Sequence, residues 1–350
     1  MKPYRHPRAA LAALAVAASL LMLCLAPRPA LAGTAARSVA QKGMTIGFIQ
    51  IDLTNPFHID QARGATEAGR RYGFTVQNLS GHGSVNQQIQ EFNNLVNQHA
   101  AAIMLLPIDV SAFGPALDRA RRAGIPVLVL YSASPKATMS SGFDEYQTGA
   151  LVGRYAVGLL AKKYGKPQGQ VAVLQGILAQ GLNRDRTGGF VDEMRKHAGI
   201  TVVSQQGTDW LPDKAAAVMQ DWLVRYPKLA LVYGLSDTIT VPAINVAARQ
   251  NRVSPIMFTS VDGDPIGLTA IQQGKLQCTA VYAPIYAGFH FGEMAYNLVK
   301  GKPHPAVDNL RSFLITPANV GAGIKMENAM SANIKTFNFD QGLDQLIKQY

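Results

Sequence analysis

The chain has 350 residues, of which 48% are hydrophobic and 16% are charged, with only 2 cysteines. At about 150 residues per domain this length predicts two globular domains, and the composition excludes a disordered chain, a collagen and a disulfide scaffold. The formal net charge is +11, but Lys and Arg are scattered and form no basic stripes interleaved with aromatic residues, so nucleic-acid binding is not expected.

The N-terminal segment has the pattern of a secretory signal peptide. Three basic residues among the first eight precede an apolar run over residues 9–26, and a small-residue triplet, A-L-A, ends at Ala32. This order of charge, apolar stretch and A-x-A predicts a signal peptide over residues 1–32, cleaved after Ala32. We therefore expect a protein exported to the periplasm. A retained membrane anchor is the alternative.

From residue 44 onward, short apolar runs alternate with amphipathic segments, which is the pattern of βαβ units in a parallel sheet. The first series predicts strands over 45–51, 74–79, 101–106 and 126–131, and helices over 57–72, 85–98 and 112–123. A second series predicts strands over 170–174, 201–205 and 229–233, and helices over 185–197 and 214–225. The order of elements recurs, and G-A-T-E-A-G-R-R-Y-G-F-T-V (64–76) is similar to G-F-V-D-E-M-R-K-H-A-G-I-T-V (189–202). Two similar half-molecules are therefore expected.

Two doubly wound domains in tandem place the carboxyl ends of two sheets close together, and open α/β sheets bind ligands outside those ends. We therefore expect an interdomain cleft that closes on a ligand by hinge motion. The predicted strand ends and their flanks carry these candidate ligand-binding residues: Asn55, Phe57, His58, Tyr131, Phe143, Arg186, Trp210, Ser236, Asp262 and Tyr282. Aromatic rings pack on the C–H faces of a sugar, and Asn, Asp and Arg meet its hydroxyls. The mixture predicts a small polyhydroxylated ring as ligand.

Several of these residues also have a purely structural interpretation. Asn55 stands in an ordinary Asn-Pro turn pair, and Arg186 could form an ion pair with a neighbouring aspartate on its helix. Asp262 could accept backbone N–H groups within its V-D-G-D turn. Trp210 could fill the core, and His58 could be a wall of the pocket that does not bond the ligand.

Neither a metal centre nor a catalytic site is predicted. No two histidines stand at the i, i+4 spacing of a zinc-binding helix, and the sequence has no G-x-S-x-G nucleophile elbow and no phosphate-binding glycine loop. Removal of the signal peptide leaves Cys278 as the single cysteine, so no internal disulfide can form. We expect a binding protein without a cofactor, and no enzyme.

A set of motifs resembles the ribose-binding type of periplasmic binding proteins. In chain order the motifs are I-G-F-I-Q-I-D-L-T-N-P-F (46–57), A-A-I-M-L-L-P-I-D (101–109), R-A-G-I-P-V (122–127), G-A-L-V-G-R-Y (149–155), R-D-R-T-G-G-F (184–190), V-D-G-D-P (261–265) and L-I-T-P-A-N-V (314–320). The resemblance implies the type I periplasmic binding protein fold, α/β with two Rossmann-like doubly wound parallel-sheet lobes and a three-segment hinge. It implies an N-terminal lobe of residues 44–144 plus 283–314, and a C-terminal lobe of residues 145–282 plus 315–350.

The resemblance also implies a function and a partner. It implies a monomeric substrate-binding component of an ABC transporter, which delivers a sugar-like ligand to a permease in the inner membrane. Ligand-contacting positions of the family match Asn55, Phe57, Arg186, Trp210 and Asp262. A chemoreceptor or a sensor kinase is the alternative partner. A repressor of the lactose-repressor type shares the two-lobed core, but it begins with a helix-turn-helix, and only a signal and a spacer precede residue 44.

The chain departs from the ribose-binding pattern at several positions. Tyr131-Ser132 stands where ribose binders carry Asp-Arg, His58 replaces a second aromatic ring, Ser236 replaces an Asn, and Tyr282 replaces an amide. Each lost hydrogen-bonding partner costs about 1 to 3 kcal/mol of affinity when its counterpart stays buried. We therefore expect a deoxy or modified sugar, a polyol or a less polar small molecule, and not ribose.

Overall fold

The computed structural model describes residues 43–252 and 255–350, so the predicted signal peptide lies outside the described residues. These residues form two six-stranded sheets. The strands of the first sheet are β1 (Thr45–Gln50), β2 (Thr75–Ser80), β3 (Ala102–Leu105), β4 (Val127–Leu130), β5 (Met139–Phe143) and β11 (Val307–Leu310). Those of the second are β6 (Gly169–Gln175), β7 (Ile200–Gly207), β8 (Leu229–Gly234), β9 (Met257–Asp262), β10 (Cys278–Val281) and β12 (Leu314–Ile315).

The two sheets share an equivalent order of strands. The strand order is β2-β1-β3-β4-β5-β11 in the first sheet and β7-β6-β8-β9-β10-β12 in the second. All neighbouring pairs are parallel except β10 and β12. This repeated order confirms the predicted pair of Rossmann-like lobes. It also creates a switch point in each sheet, between β1 and β3 and between β6 and β8, where ligand sites of open sheets lie.

Helices cover the faces of both sheets. Those of the first lobe are α1 (Pro56–Tyr72), α2 (Val85–Asn97), α3 (Gly114–Arg122) and α9 (Pro284–Val299). Those of the second are α4 (Glu145–Tyr164), α5 (Gly181–Arg195), α6 (Pro212–Arg225), α7 (Asp237–Arg249), α8 (Pro265–Gln272) and α10 (Val320–Ala332), followed by the short α11 (Leu343–Leu346). Short 3-10 helices span Val110–Phe113 and Ile347–Gln349. Across residues 43–252 and 255–350, no helix has the length and apolar character needed to cross a bilayer.

The predicted start of the helix at residue 185 is wrong, because α5 begins at Gly181. No side-chain cap marks this helix start. The first turn is held by burial of Leu182 and by Asn183, whose Oδ1 accepts a hydrogen bond from the backbone N–H of Gly176 at 2.8 Å. The position at which α5 starts is therefore set by packing against the loop after β6 and not by a local sequence signal.

The chain crosses between the two sheets three times. It crosses from β5 to α4 at Asp144, from β10 to α9 at residues 282–283, and from β11 to β12 at residues 311–313. These crossings confirm the predicted three-segment hinge. At the second crossing Ala283 has a left-handed backbone with φ 44°, a conformation that residues other than glycine rarely adopt.

A repeated glycine contact holds one helix pair in each lobe. A Cβ atom on Gly64 of α1 would lie 2.0 Å from the backbone oxygen of Ile285 in α9. A Cβ on Gly189 of α5 would lie equally close, 2.0 Å, to the backbone oxygen of Tyr146 in α4. Gly64 and Gly189 begin the two similar sequence segments. The repeat therefore encodes the same close helix crossing twice.

The C-terminal segment contacts helices of both lobes. Helix α10 packs on α8 of the second lobe. Beyond it, the ring of Phe339 stacks on Phe289 of α9 with 4.2 Å between centroids. The guanidinium of Arg71 in α1 lies 5.0 Å from the centroid of the Phe339 ring and donates a 2.5 Å hydrogen bond to the backbone oxygen of Phe337. The sequence analysis assigned residues 315–350 to the C-terminal lobe. In the structure, the part of this segment that follows α10 contacts the first lobe.

Candidate functional site

A cavity lies at the carboxyl ends of both sheets. Its wall is formed by Ile51, Asn55, Phe57, His58, Leu106, Tyr131, Gln180, Leu182, Arg186, Trp210, Ser236 and Asp262. The first six of these follow strands of the first sheet, and the other six follow or end strands of the second. The cavity is therefore shared by the two lobes and lies beside both switch points.

The turn after β1 positions three of the predicted residues. Oδ1 of Asp52 accepts hydrogen bonds from the backbone N–H groups of Thr54 at 2.8 Å and Asn55 at 2.7 Å, which closes the turn. Oδ1 of Asn55 in turn accepts the N–H of Phe57 at 3.0 Å and caps α1. Asn55 thus serves as a helix cap and lines the cavity as well.

His58 lies at the same turn, with Nδ1 3.3 Å from Oδ2 of Asp52. Burial acts to raise the pKa of Asp52, but the contact with His58 and the N–H groups of the turn outweigh it and hold the pKa well below its usual range. The ring of Phe57 meets the ring of His58 edge-on, with 6.0 Å between centroids. Asp52 and the Phe57 ring therefore orient His58 in the cavity wall.

Tyr131 lies beside a stacked pair of aromatic rings. Its backbone is left-handed, with φ 53°, and its hydroxyl accepts a 2.5 Å hydrogen bond from Nε2 of Gln61. Its ring is nearly parallel to those of Phe143 and Tyr282, with centroid distances of 6.3 and 6.0 Å. Phe143 and Tyr282 stack on each other at 3.9 Å. Of the three rings, only Tyr131 belongs to the cavity wall, and the other two lie behind it.

Trp210 forms the opposite wall. Its backbone is also left-handed, with φ 61°, and Nε1 of its indole donates a 2.6 Å hydrogen bond to Oε1 of Gln180. Nε2 of Gln180 donates to the backbone oxygen of Pro107, which follows β3, at 3.3 Å. Gln180 therefore links the aromatic wall of the second lobe to the first lobe, although the sequence analysis did not select it.

Arg186 is 4% exposed and holds a buried ion pair with Glu145, with 2.7 Å between Nε and Oε2. Burial opposes the charge of the guanidinium, but the Glu145 carboxylate outweighs it and raises the pKa of Arg186. Nη1 of Arg186 donates to the backbone oxygen of Leu235. The guanidinium lies over the ring of Tyr282, 4.8 Å from its centroid. Arg186 is thus paired with neither of the neighbouring aspartates.

Ser236 and Asp262 complete the second-lobe side. The hydroxyl of Ser236 accepts the N–H of Thr238 at 3.2 Å and caps α7. Asp262 is 4% exposed and has φ 115°. Burial raises the pKa of Asp262, and Arg186 acts in the opposite direction. Burial favours the protonated form of this carboxyl group. A protonated carboxyl can donate as well as accept a hydrogen bond, which suits a hydroxyl group of a ligand.

Eight of the ten residues predicted for the site line the cavity, and Phe143 and Tyr282 support it from behind. Sequence reasoning missed Gln180 and Glu145, which hold Trp210 and Arg186 in place. Gln180 could have been found from its position in the loop after β6. Within residues 43–252 and 255–350, no group of His, Cys, Asp or Glu side chains could hold a metal ion.

Comparisons with known proteins agree with this geometry. A family model described as periplasmic binding protein domain matches residues 46–303. The ribose import binding protein RbsB of Escherichia coli (strain K12) is 27% identical over 260 residues, which cover 74% of this chain and 86% of the relative. The xylitol-binding protein of Mycolicibacterium smegmatis is 24% identical over 203 residues, covering 58% of this chain and 57% of the relative. A solved ABC transporter solute binding protein from Mycobacterium smegmatis with bound glycerol is 26% identical, with a TM-score of 0.75 over 80% of this chain and 96% of that chain.

Proposed function

This chain belongs to the periplasmic binding protein family, and from that premise we propose that it is the solute-binding component of an ABC importer. In this proposal it binds a small sugar or polyol in the cleft between its two lobes, exposed to the periplasm. The observation that carries the proposal is a cavity whose wall is divided between the carboxyl ends of both sheets. A ligand in such a cavity contacts both lobes at once and so favours their closed arrangement.

The chemistry of the wall supports a sugar or a polyol. Phe57, Tyr131 and Trp210 offer ring faces to C–H groups, while Asn55, Arg186, Gln180, Ser236 and Asp262 offer polar groups. Apolar walls with a few placed polar groups are typical of small-molecule sites. Tyr131 supplies one ring and one hydroxyl where ribose binders carry two charged side chains. We therefore propose a ligand with fewer hydrogen-bonding demands than ribose, such as a deoxy or modified sugar or a polyol.

We propose that closure rotates residues 44–144 plus 283–314 against residues 145–282 plus 315–350 about the three crossings. Ligand binding shifts the open and closed populations only by its difference in affinity for the two states. The hydrogen bond from Gln180 to the backbone oxygen of Pro107 joins the two lobes beside the cavity. It stabilises the closed arrangement, and opening of the lobes would break it.

The first experiment is a binding screen of the exported protein against pentoses, hexoses, deoxy sugars, polyols and small aromatics. Melting temperature is the readout, since a ligand stabilises the native state by RT ln(1 + [L]/Kd). Calorimetry then gives Kd for each hit. We expect a sugar or polyol to raise the melting temperature. A panel in which no member does so, or a ligand recovered chemically changed, contradicts the proposal.

Tryptophan fluorescence offers a matched control, because the chain has only two Trp residues. Trp210 lines the cavity, whereas Trp222 is 1% exposed in the core of the second lobe. A ligand should change the fluorescence of the wild-type protein and of a Trp222→Phe variant. Trp210→Phe should abolish that change. A change that persists in Trp210→Phe would place the ligand elsewhere.

The proposed partner is an ABC permease of the inner membrane, and the proposed exported form is a monomer that begins at Gly33. Deletion of the chain should abolish uptake of the labelled ligand found in the screen. A deletion that removes a chemotactic or sensor-kinase response and leaves uptake intact would favour the receptor or kinase as partner. Mass spectrometry of the exported protein gives the cleavage site, and light scattering gives the oligomeric state.

A further inference from the structure

The buried ion pair between Arg186 and Glu145 determines how the cavity interacts with charged groups on a ligand. Oε2 of Glu145 accepts a 2.7 Å hydrogen bond from Nε of Arg186 and a 2.6 Å hydrogen bond from the hydroxyl of Tyr282. The side chains of Arg186 and Glu145 are only 4% and 7% exposed. Since water screens neither charge, Glu145 is the principal counter-charge of Arg186, and the carboxyl of Asp262 also acts on the guanidinium.

The ion pair also fixes the direction of the guanidinium. Arg186 has five N–H donors, of which Nε is directed at Glu145 and one on Nη1 at the backbone oxygen of Leu235. The plane of the group is held over the ring of Tyr282. The donors that remain on the cavity side can therefore serve a ligand hydroxyl without any rearrangement. Glu145 itself lies outside the cavity wall.

No unbalanced positive charge faces a ligand among the wall residues. Arg186 is balanced by Glu145, and His58 at the turn after β1 has Asp52 3.3 Å away. Asp262 is the remaining carboxyl or basic side chain of the wall, and it is an acid. An anionic group on a ligand would lose its hydration in this cavity and gain no free cation in return.

We propose that Glu145 is a positioning residue that neutralises Arg186 and thereby restricts the cavity to uncharged sugars or polyols, with sugar acids and sugar phosphates rejected. This inference rests on the proposed function, because it names the class of ligand for the same cavity. Arg186 acts in it as a donor to hydroxyl groups. It does not act as an anchor for carboxylate or phosphate.

The test compares matched neutral and acidic probes by calorimetry: D-xylose with D-xylonate, D-galactose with D-galacturonate, and D-ribose with its 5-phosphate. We expect the wild-type protein to bind a neutral member at least about a hundredfold more tightly than its acid, because the acid would be buried beside a balanced cation. In Glu145→Gln the amide oxygen still accepts from Nε, but Arg186 loses its principal counter-charge. That variant should lower the ratio of the Kd of the acid to the Kd of the neutral probe about tenfold or more, chiefly because it binds the acid more tightly.

Two further variants separate this effect from a general change of charge or stability. Glu193→Gln removes the same charge from α5, where Glu193 pairs with Arg154 at 3.0 Å and is no part of the cavity wall, and it should leave the ratio unchanged. Glu145→Gln combined with Arg186→Gln removes both charges and should restore the preference for the neutral probe. These measurements need variants with native circular dichroism, and the wild-type ratio decides the proposal if Glu145→Gln does not fold.

The possible failures are distinguishable. A wild-type protein that binds an acidic probe more tightly than its neutral partner overturns the assignment of Glu145 and leaves the proposed function intact. The same holds for a folded Glu145→Gln variant whose ratio equals that of the wild type. If no neutral or acidic probe binds and the wider screen is also negative, the proposed function falls, and this inference falls with it.

Discussion

Substitution of Gly149 by Ala tests the close packing that holds Arg186 in place. A Cβ atom at residue 149 would lie 2.0 Å from the backbone oxygen of Arg186 and 3.0 Å from the backbone nitrogen of Phe190. Both obstacles are backbone atoms of α5, so a rotamer change cannot relieve them. Helix α5 would have to move away from α4, and the backbone of Arg186 would move with it.

Gly158 in the same helix is the matched control. It is exposed, and an added Cβ would meet nothing within 4 Å. Ala in place of Gly within a helix gains about 1 kcal/mol, so Gly158→Ala should raise the free energy of unfolding by about that amount. Gly149→Ala has the same gain in helix stability, but it also has an overpacking cost of about 3 kcal/mol. This cost is at the upper end for added methyl groups because the blocking atoms belong to the backbone.

The two variants should therefore differ in stability by about 3 kcal/mol, which is about 4 °C in melting temperature for a chain of this size. Denaturant titration and thermal unfolding followed by circular dichroism measure this difference. Gly149→Ala should also weaken binding of the ligand found in the screen, since Arg186 is displaced. If both substitutions stabilise the protein equally, the two helices are not in the close contact described above.

Three further predictions concern single side chains. Trp210→Ala should weaken ligand binding by about 1 to 2 kcal/mol, or roughly 5- to 30-fold in Kd, through loss of its ring face, and calorimetry that gives an unchanged Kd would remove Trp210 from the site. Burial raises the pKa of Glu327 from 4.5 to about 7, with Asp60 adding to the effect, so the folded state favours the protonated form. The stability from this group is fully present below pH 4.5 and is lost as the pH rises to about 7, a change of about 3 kcal/mol that Glu327→Gln should abolish in denaturant titrations at pH 5 and pH 8. Cys278 is fully buried, and burial raises the pKa of its thiol, so a thiol reagent should label it in denaturant but not in the native exported protein, and rapid native labelling would contradict its burial.

The sequence alone predicted the parts of the site that depend on local patterns. Alternating apolar runs and amphipathic segments placed the strands, and each strand of a doubly wound sheet ends at the same edge. Asn55, Arg186 and Asp262 were therefore expected at one cleft, where the structure has them. The glycine of the repeated segment was also visible in the sequence as Gly64 and Gly189, although its role in the helix crossing was not.

Sequence reasoning could not separate the rings that line the cavity from those that support it. Tyr131, Phe143 and Tyr282 all follow or end a strand and are equal candidates on that ground. In the structure Tyr131 lines the cavity and the other two stack behind it. Glu145 was missed for a related reason. It begins a helix 41 residues before Arg186, and only the packing of α4 on α5 brings the two charges together.

The amino-acid sequence by itself predicted the two lobes, most of their strands and helices and the polar and aromatic side chains of the cleft, because periodicity and turns are local properties of a chain. Tertiary structure decided which of those side chains face the cavity. Tyr131, Trp210 and Asp262 all have a positive φ, which residues other than glycine adopt only when the surrounding packing compensates for the strain. Their directions therefore come from contacts distant in the sequence, as does the pairing of Arg186 with Glu145.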